Sequence, residues 1–227
     1  SATNTPRIEY DASGNCLGLL MEASRTNLVI QSADLTAYTL TNVTIGGNAI
    51  AAPDGTTTAD SITETVTSGL HRAQSTAIGV ANVANTFSCF VKAGLRTKGR
   101  ITMGGASGST IANFDLVAVT ATPVTPSGNG TCTAATITAL ANGWFRVTAT
   151  GVPDSTSGLT YAPRIDLADA AFSFSYAGDT GSVGLYAWGL QAEAAAFASS
   201  YIPTTTVSVA RTADSCIRTL GSEFSAT

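Results

Sequence analysis

Thr86-Phe87-Ser88-Cys89-Phe90-Val91-Lys92 alternates at every second position, with Phe87, Cys89 and Val91 on one side and Ser88, Phe90 and Lys92 on the other. Successive side chains leave an extended backbone in opposite directions, so this period of two predicts a strand with one face on a core. Gly143-Trp144-Phe145-Arg146-Val147-Thr148-Ala149 splits the same way, Phe145, Val147 and Ala149 opposite Trp144, Arg146 and Thr148. Outward from these segments, short runs rich in Val, Ile, Thr and aromatics begin at Tyr38. They are separated by turn clusters such as Gly46-Gly47-Asn48, Pro53-Asp54-Gly55, Pro126-Ser127-Gly128-Asn129-Gly130 and Pro153-Asp154-Ser155. Roughly eight to eleven strands fit this punctuation. No helical stripe exceeds about two turns. The alanine-rich segment from Gln191 to Ser200 is the best helix candidate and reads equally as an extended exit strand. Many strands without intervening helices predict an all-β, two-sheet antiparallel sandwich.

Residues 1–35 lack sustained alternation. Pro6, the turn Asp11-Ala12-Ser13-Gly14-Asn15 and a short apolar run mark an extended lead-in, followed by a sandwich over 36–215 and a tail over 216–227. The first residue is not methionine, as expected of an excised domain or a processed product.

A chain of 227 residues buries enough surface to fold without a metal or disulfide staple. Only 11% of it is charged, which suits strands and tight turns better than long exposed helices. With net charge −4 and pI near 4.8, the chain as a whole lacks the positive field that gathers a phosphate backbone, so nucleic acid is not an expected partner. No apolar run of about 18 residues is long enough to span a bilayer, and no signal segment is visible. Cys16, Cys89, Cys132 and Cys216 form no CxxC pair, which argues against a zinc or redox motif; free thiols or one or two disulfides both fit.

Catalytic motifs are scarce. His71 is the only histidine, so any Ser-His-Asp chemistry would depend on it, and its neighbours read as a strand with an exposed side chain. Gly104-Gly105-Ala106-Ser107-Gly108 lacks the lysine of a phosphate loop and reads as a turn. Asp115, Asp166, Asp169, Asp179 and Glu193 are candidate glycosidase carboxylates, a role that requires a separation sequence does not give. Asp54, Asp60, Asp179, Glu193 or Asp214 could supply oxygens to a structural calcium. No cofactor is implied.

Binding chemistry is better represented. Sugars present apolar C–H faces and hydroxyls, so their sites pair an aromatic platform with planar hydrogen-bonding side chains. Trp144 with Arg146, Tyr161 with Arg164 and Asp166, and Tyr176 with Asp179 have that mixture. Core packing is the competing reading for each. Tyr186 and Trp188 share a parity with Leu190 and Ala192, which predicts core packing for all four, with Gln191 and Glu193 pointing the other way.

Several segments in order resemble a known family. They are Pro6-Arg7-Ile8-Glu9-Tyr10-Asp11, Leu17-Gly18-Leu19-Leu20-Met21-Glu22, Ser24-Arg25-Thr26-Asn27-Leu28, and the runs from Ala52 to Asp60 and from Phe87 to Gly94. Gly143-Trp144-Phe145-Arg146-Val147, the run from Gly184 to Glu193, Ser200-Tyr201-Ile202-Pro203-Thr204 and Arg211-Thr212-Ala213-Asp214 close the pattern. Together they resemble phage virion proteins, of tail or head fibres or spikes, that carry a carbohydrate-binding-module-like, concanavalin A-like jelly roll. One departure is Ala192, where a larger apolar residue commonly sits.

The resemblance implies a non-catalytic jelly-roll module on the virion surface that attaches to host-surface polysaccharide. Its implied partners are other virion proteins and further copies of itself. Many linked copies make weak sugar contacts effective. The alternative expectations are a ligand-free decoration or oligomerisation domain and a glycan-depolymerising enzyme. Arg25, Asn27, Arg211 and Asp214 read as structural, pinning the termini through guanidinium and short capping side chains, with Arg25 or Arg211 paired to a carboxylate.

Overall fold

A computed structural model describes residues 8–10, 14–79, 82–105, 107–126, 128–154, 160–179 and 181–215. The chain forms two compact units, one of Ser1–Arg25 with Ala210–Thr227 and one of Thr26–Val209. Residues 26–35 belong to the sandwich because Asn27, Val29, Ser32 and Leu35 are fully buried in it. The Asn27 amide donates to the Leu190 and Ile202 carbonyls and accepts from the Val29 and Ala192 N–H groups. Asp11, Ala12, Ser13 and residues 216–227 lie outside the described residues.

In chain order the strands are β1 (Ile8–Tyr10), β2 (Cys16–Leu19), β3 (Arg25–Asn27), β4 (Thr39–Thr41), β5 (Val43–Ile50), β6 (Ala59–Glu64), β7 (Ser68–Gly69), β8 (Arg72–Gln74), β9 (Ile78–Gly79), β10 (Asn85–Ala93), β11 (Lys98–Gly104), β12 (Ser109–Asp115), β13 (Thr120–Val124), β14 (Ala134–Ala139), β15 (Trp144–Gly151), β16 (Thr160–Ala168), β17 (Tyr176–Ala177), β18 (Val183–Glu193) and β19 (Val209–Arg211). Among the described residues the only helical pieces are two single 3-10 turns, Leu35–Ala37 and Ala141–Gly143. The segment after Glu193 is irregular and not a helix. Gly46-Gly47-Asn48, expected as a turn, lies inside β5 where the ladder to β6 shifts register.

The larger unit is an antiparallel two-sheet sandwich. One sheet has six strands in the order β14-β15-β10-β18-β6-β5. The other runs β13-β12-β11-β16-β8-β4, with β9 also pairing β16. Phe87, Cys89 and Val91 of β10 and Val147 and Ala149 of β15 face Ile101 and Met103 of β11, Phe114 of β12 and Ile165 and Leu167 of β16 in one continuous core. The alternating Phe87, Cys89 and Val91 are therefore the inner row of the six-stranded sheet. Pro163 sits inside β16, where a missing N–H would break a ladder. β16 meets β8 at Arg164–Asp166 and β9 at Thr160–Tyr161, so Pro163 faces the gap between those two short strands.

A bulge corrects the reading of β18. Ser88 pairs with Gln191 and Phe90 with Trp188, so Cys89 faces two residues, Gly189 and Leu190. Gly189 takes φ 63°, and a Cβ there would lie 2.8 Å from Phe90 Cδ2, so glycine is required to place the extra residue. The inserted residue inverts the parity. Leu190 and Ala192 enter the main core, while Tyr186 and Trp188 turn to the outer face with Phe90 and Trp144.

That outer face of the six-stranded sheet is not open at its middle. Trp188 packs on Tyr201 at 4.4 Å between ring centroids, Trp144 Nε1 donates to Ala51 O and Trp188 Nε1 to Thr58 Oγ1. Fully buried Glu193 accepts from Ser199 N and Ser199 Oγ, and Gln191 Oε1 accepts from Ile202 N. Residues 51–58 and 199–202 thus close over the aromatic middle of this face, while Thr136 and Thr138 of the edge strand β14 stay exposed.

In the smaller unit β1 pairs β2. Arg211 Nη1 lies 2.9 Å from Glu22 Oε2. Asp214 Oδ2 accepts from Glu22 N, and Asp214 N donates to Glu22 O. Arg25 Nη1 donates to Ser24 O.

Candidate functional site

The outer face of the second sheet carries a cluster of three arginines around one aspartate. Register builds it: Arg100 of β11, Asp166 of β16 and Arg72 of β8 stand directly opposite one another on three neighbouring strands, and Thr102, Arg164 and Gln74 form the next row. Residues on one row and one face of an antiparallel sheet are in mutual reach. Arg72 Nε lies 2.8 Å from Asp166 Oδ1, and Arg100 Nε and Arg164 Nε lie 3.0 and 3.4 Å from Oδ2. Only the Arg100 N–H is aimed well enough to be a hydrogen bond; the Nε atoms of Arg72 and Arg164 pair by charge alone. The Asp166 carboxylate is wholly buried beneath three guanidinium groups whose side chains stay 16 to 20% exposed.

Three guanidiniums against one carboxylate leave two positive charges uncompensated. Burial, aided by the crowding of Arg72 and Arg100, holds the Arg164 guanidinium below its usual range in spite of Asp166. Arginine stays protonated in proteins, so this direction expresses chiefly the cost of burying its charge, with the repulsion of Arg72 and Arg100 added to it. Gly104 makes room for Arg164, since a Cβ there would lie 3.0 Å from Arg164 Nη1.

An aromatic border adjoins the arginines. The turn after β16 is fixed by Asp169, which accepts from Ala171 N and Ser173 N, and by Lys98 Nζ donating to Ala170 O. It sets Phe174 4.1 Å from the Arg100 guanidinium carbon and Phe172 4.5 Å from Lys98 Nζ. Lys98 also pairs with Asp115 at 3.5 Å. The face therefore combines forked planar donors with ring carbon, and it has excess positive charge in a chain of net charge −4.

A second polar cluster gathers around Glu64 on β6. Arg96 reaches it bidentately, Nε to Oε1 and Nη2 to Oε2, both at 2.8 Å. Tyr176 Oη donates to Oε1 at 2.6 Å and Asp179 N to Oε2 at 3.0 Å. Burial raises the Glu64 carboxyl, but the Arg96, Tyr176 and Asp179 hydrogen bonds outweigh it and hold the group below the usual range. Burial first, then the Glu64 bond, pushes the Tyr176 hydroxyl up. His71 stacks on Tyr176 at 4.5 Å with Nε2 3.2 Å from Thr65 O. His71 is fully buried, correcting its expected exposure. Arg96 also lies over the Tyr176 ring, so this cluster ties a loop down and leaves little ring surface for a ligand.

Of the sequence-based sugar candidates, Arg164 and Asp166 lie on the arginine face. Tyr161 does not: it is 1% exposed in the core, because its odd position turns it away from Arg164 and Asp166. Burial first, then the nearby Asp154 carboxylate, pushes its hydroxyl up to about 12. Trp144 is 1% exposed under residues 51–52 and offers no platform. Arg146 is spent on Ser88 Oγ, Ser199 O and the Phe90 face. Tyr176 and Asp179 belong to the Glu64 cluster, Asp179 through its backbone. Arg72, Arg100 and Phe174 were not foreseen. Arg100 alternates with Ile101, which marks its face, but only register brings it to Asp166.

Four of the five carboxylates considered for calcium are engaged elsewhere. Asp54 caps a turn through Thr56, Asp60 accepts from Leu35 N and Asn48 N, Glu193 holds Ser199, and Asp214 holds Glu22. Among the described residues no three His, Cys, Asp or Glu side chains are grouped to hold a metal. Cys16, Cys89 and Cys132 are free thiols, with Cys16 exposed and Cys132 half-buried; Cys216 lies outside the described residues. No helix among the described residues is long and apolar enough to cross a membrane. No model of a known protein family matches the chain, and no curated protein matches it.

Proposed function

We propose that this chain is a non-catalytic glycan-binding module which attaches a phage or phage-like particle to polysaccharide on its host, working from the virion surface beside other virion proteins and further copies of itself. The observation that carries the reading is the outer face of the second sheet, where Arg72, Arg100 and Arg164 surround Asp166 with Phe174 against Arg100. Planar donors held beside ring carbon suit sugar hydroxyls and C–H faces. The aromatic residues on the outer face of the other sheet, Trp144 and Trp188, are covered by the chain itself, which favours this face for a ligand. Weak single-site binding is compatible with attachment when many copies act together.

The test is a glycan array probed with the purified protein, followed by competition with the free sugar. Saturable, competed binding to at least one polysaccharide without release of reducing ends is expected. A blank array would remove the attachment role in favour of a decoration or oligomerisation domain. The exposed Ile8, Leu17, Leu19 and Met21 of the smaller unit suit that second role. Reducing ends released from a bound polymer would indicate an enzyme.

A further inference from the structure

We infer that the arginine face selects acidic polysaccharide, the carboxylate of a uronic acid residue docking onto the guanidinium groups of Arg72, Arg100 and Arg164. The inference rests on the glycan-binding reading and specifies its ligand class. Three observations support it. First, the site is unbalanced: Asp166 answers one of the three positive charges, and it lies wholly buried under them. Second, all three arginines turn Nε toward Asp166 while their side chains stay 16 to 20% exposed, and each guanidinium carries two further Nη donors beyond that Nε. Fork geometry matches a carboxylate, and the group already seats one. Third, burial and its two cationic neighbours hold Arg164 below its usual range, an unfavourable arrangement that an arriving anion relieves. A neutral sugar gains nothing from that imbalance.

The arginines also restrict the approach. Phe174 lies on Arg100 and Phe172 on Lys98, so the turn over 169–175 borders one end of the face. A sugar ring seated there places its ring carbons against that border with its carboxylate over the guanidiniums.

The experiment measures binding of the whole chain to polygalacturonate, alginate and hyaluronate, to the same polymers after reduction of their carboxyl groups, and to a single-stranded oligonucleotide. The variants are Arg164→Gln, Arg100→Gln and, as a control for lost charge on the opposite sheet, Lys92→Gln. Binding to at least one polyuronate is expected. It should fall tenfold or more on carboxyl reduction and in each arginine variant, and less than twofold in Lys92→Gln. Because burial, with Arg72 and Arg100 beside it, disfavours the Arg164 charge, Arg164→Gln should unfold at the same temperature as the parent or higher. That result separates lost recognition from lost fold. Equal binding to native and reduced polymers overturns the inference and leaves the glycan-binding reading standing. Failure to bind any polyuronate overturns it too, with the array deciding the broader reading. Tighter, arginine-dependent capture of the oligonucleotide overturns it in favour of a phosphate polymer.

Discussion

Asn27 uses all of its side-chain hydrogen-bonding capacity on backbone that other elements leave unpaired. Its amide serves two carbonyls and two N–H groups, and the residue is fully buried. Each buried polar group left without a partner costs about 1–3 kcal/mol. Asn27→Ala is therefore expected to lower unfolding free energy by roughly 3 kcal/mol or more, read from the midpoint of urea denaturation; a loss under about 1 kcal/mol would mean that water or backbone shifts replace the amide. Glu193 follows the same logic, holding Ser199 and Gln191. Both residues looked from sequence like generic polar side chains, Asn27 a terminal cap and Glu193 a carboxylate available for chemistry. Four and three hydrogen bonds respectively, all within the fold, give them structural work instead.

Between strand and loop, Glu64 joins β6 to Arg96 and to the segment carrying Tyr176 and Asp179. Its folded pKa lies below its ordinary value of 4.5. The stabilisation from its charge is therefore complete above about pH 4.5 and fades as pH falls through the lower folded value. Glu64→Gln should cost on the order of 3 kcal/mol at neutral pH and should flatten the acid limb of a stability-against-pH curve. An unchanged acid limb would assign acid sensitivity to other carboxylates. Strands were the legible part of this sequence. β10 and β15 alternate as their residues demand, and the two-sheet sandwich follows from such strands. Parity was also available for Tyr161, whose odd number opposes Arg164 and Asp166, though a shared segment suggested a shared site. What could not be read was pairing. The bulge at Gly189 inverts β18, and the meeting of Arg72, Asp166 and Arg100 depends on which strands are neighbours, information that no local pattern carries.

Net charge concealed the most suggestive surface. A chain of −4 argues against polyanions on average, yet averages say nothing about a face where three arginines converge. Binding at that face should weaken as salt rises, because partly exposed charges are screened once the Debye length falls from about 10 Å at 0.1 M to about 3 Å at 1 M. Polyuronate titrations across that range are expected to show a steady loss of affinity, whereas salt-independent binding would point to stacking and hydroxyl contacts as the main source. Arg72, Gln74, Arg100 and Arg164 alternate with Ala73, Ile101 and Ile165, which are fully buried. The outward letters of these strands can thus be rewritten one at a time while the inward letters keep spelling the same scaffold. Under the proposed attachment role, point mutation alone would then change which polysaccharide the domain grips, without having to invent a new protein.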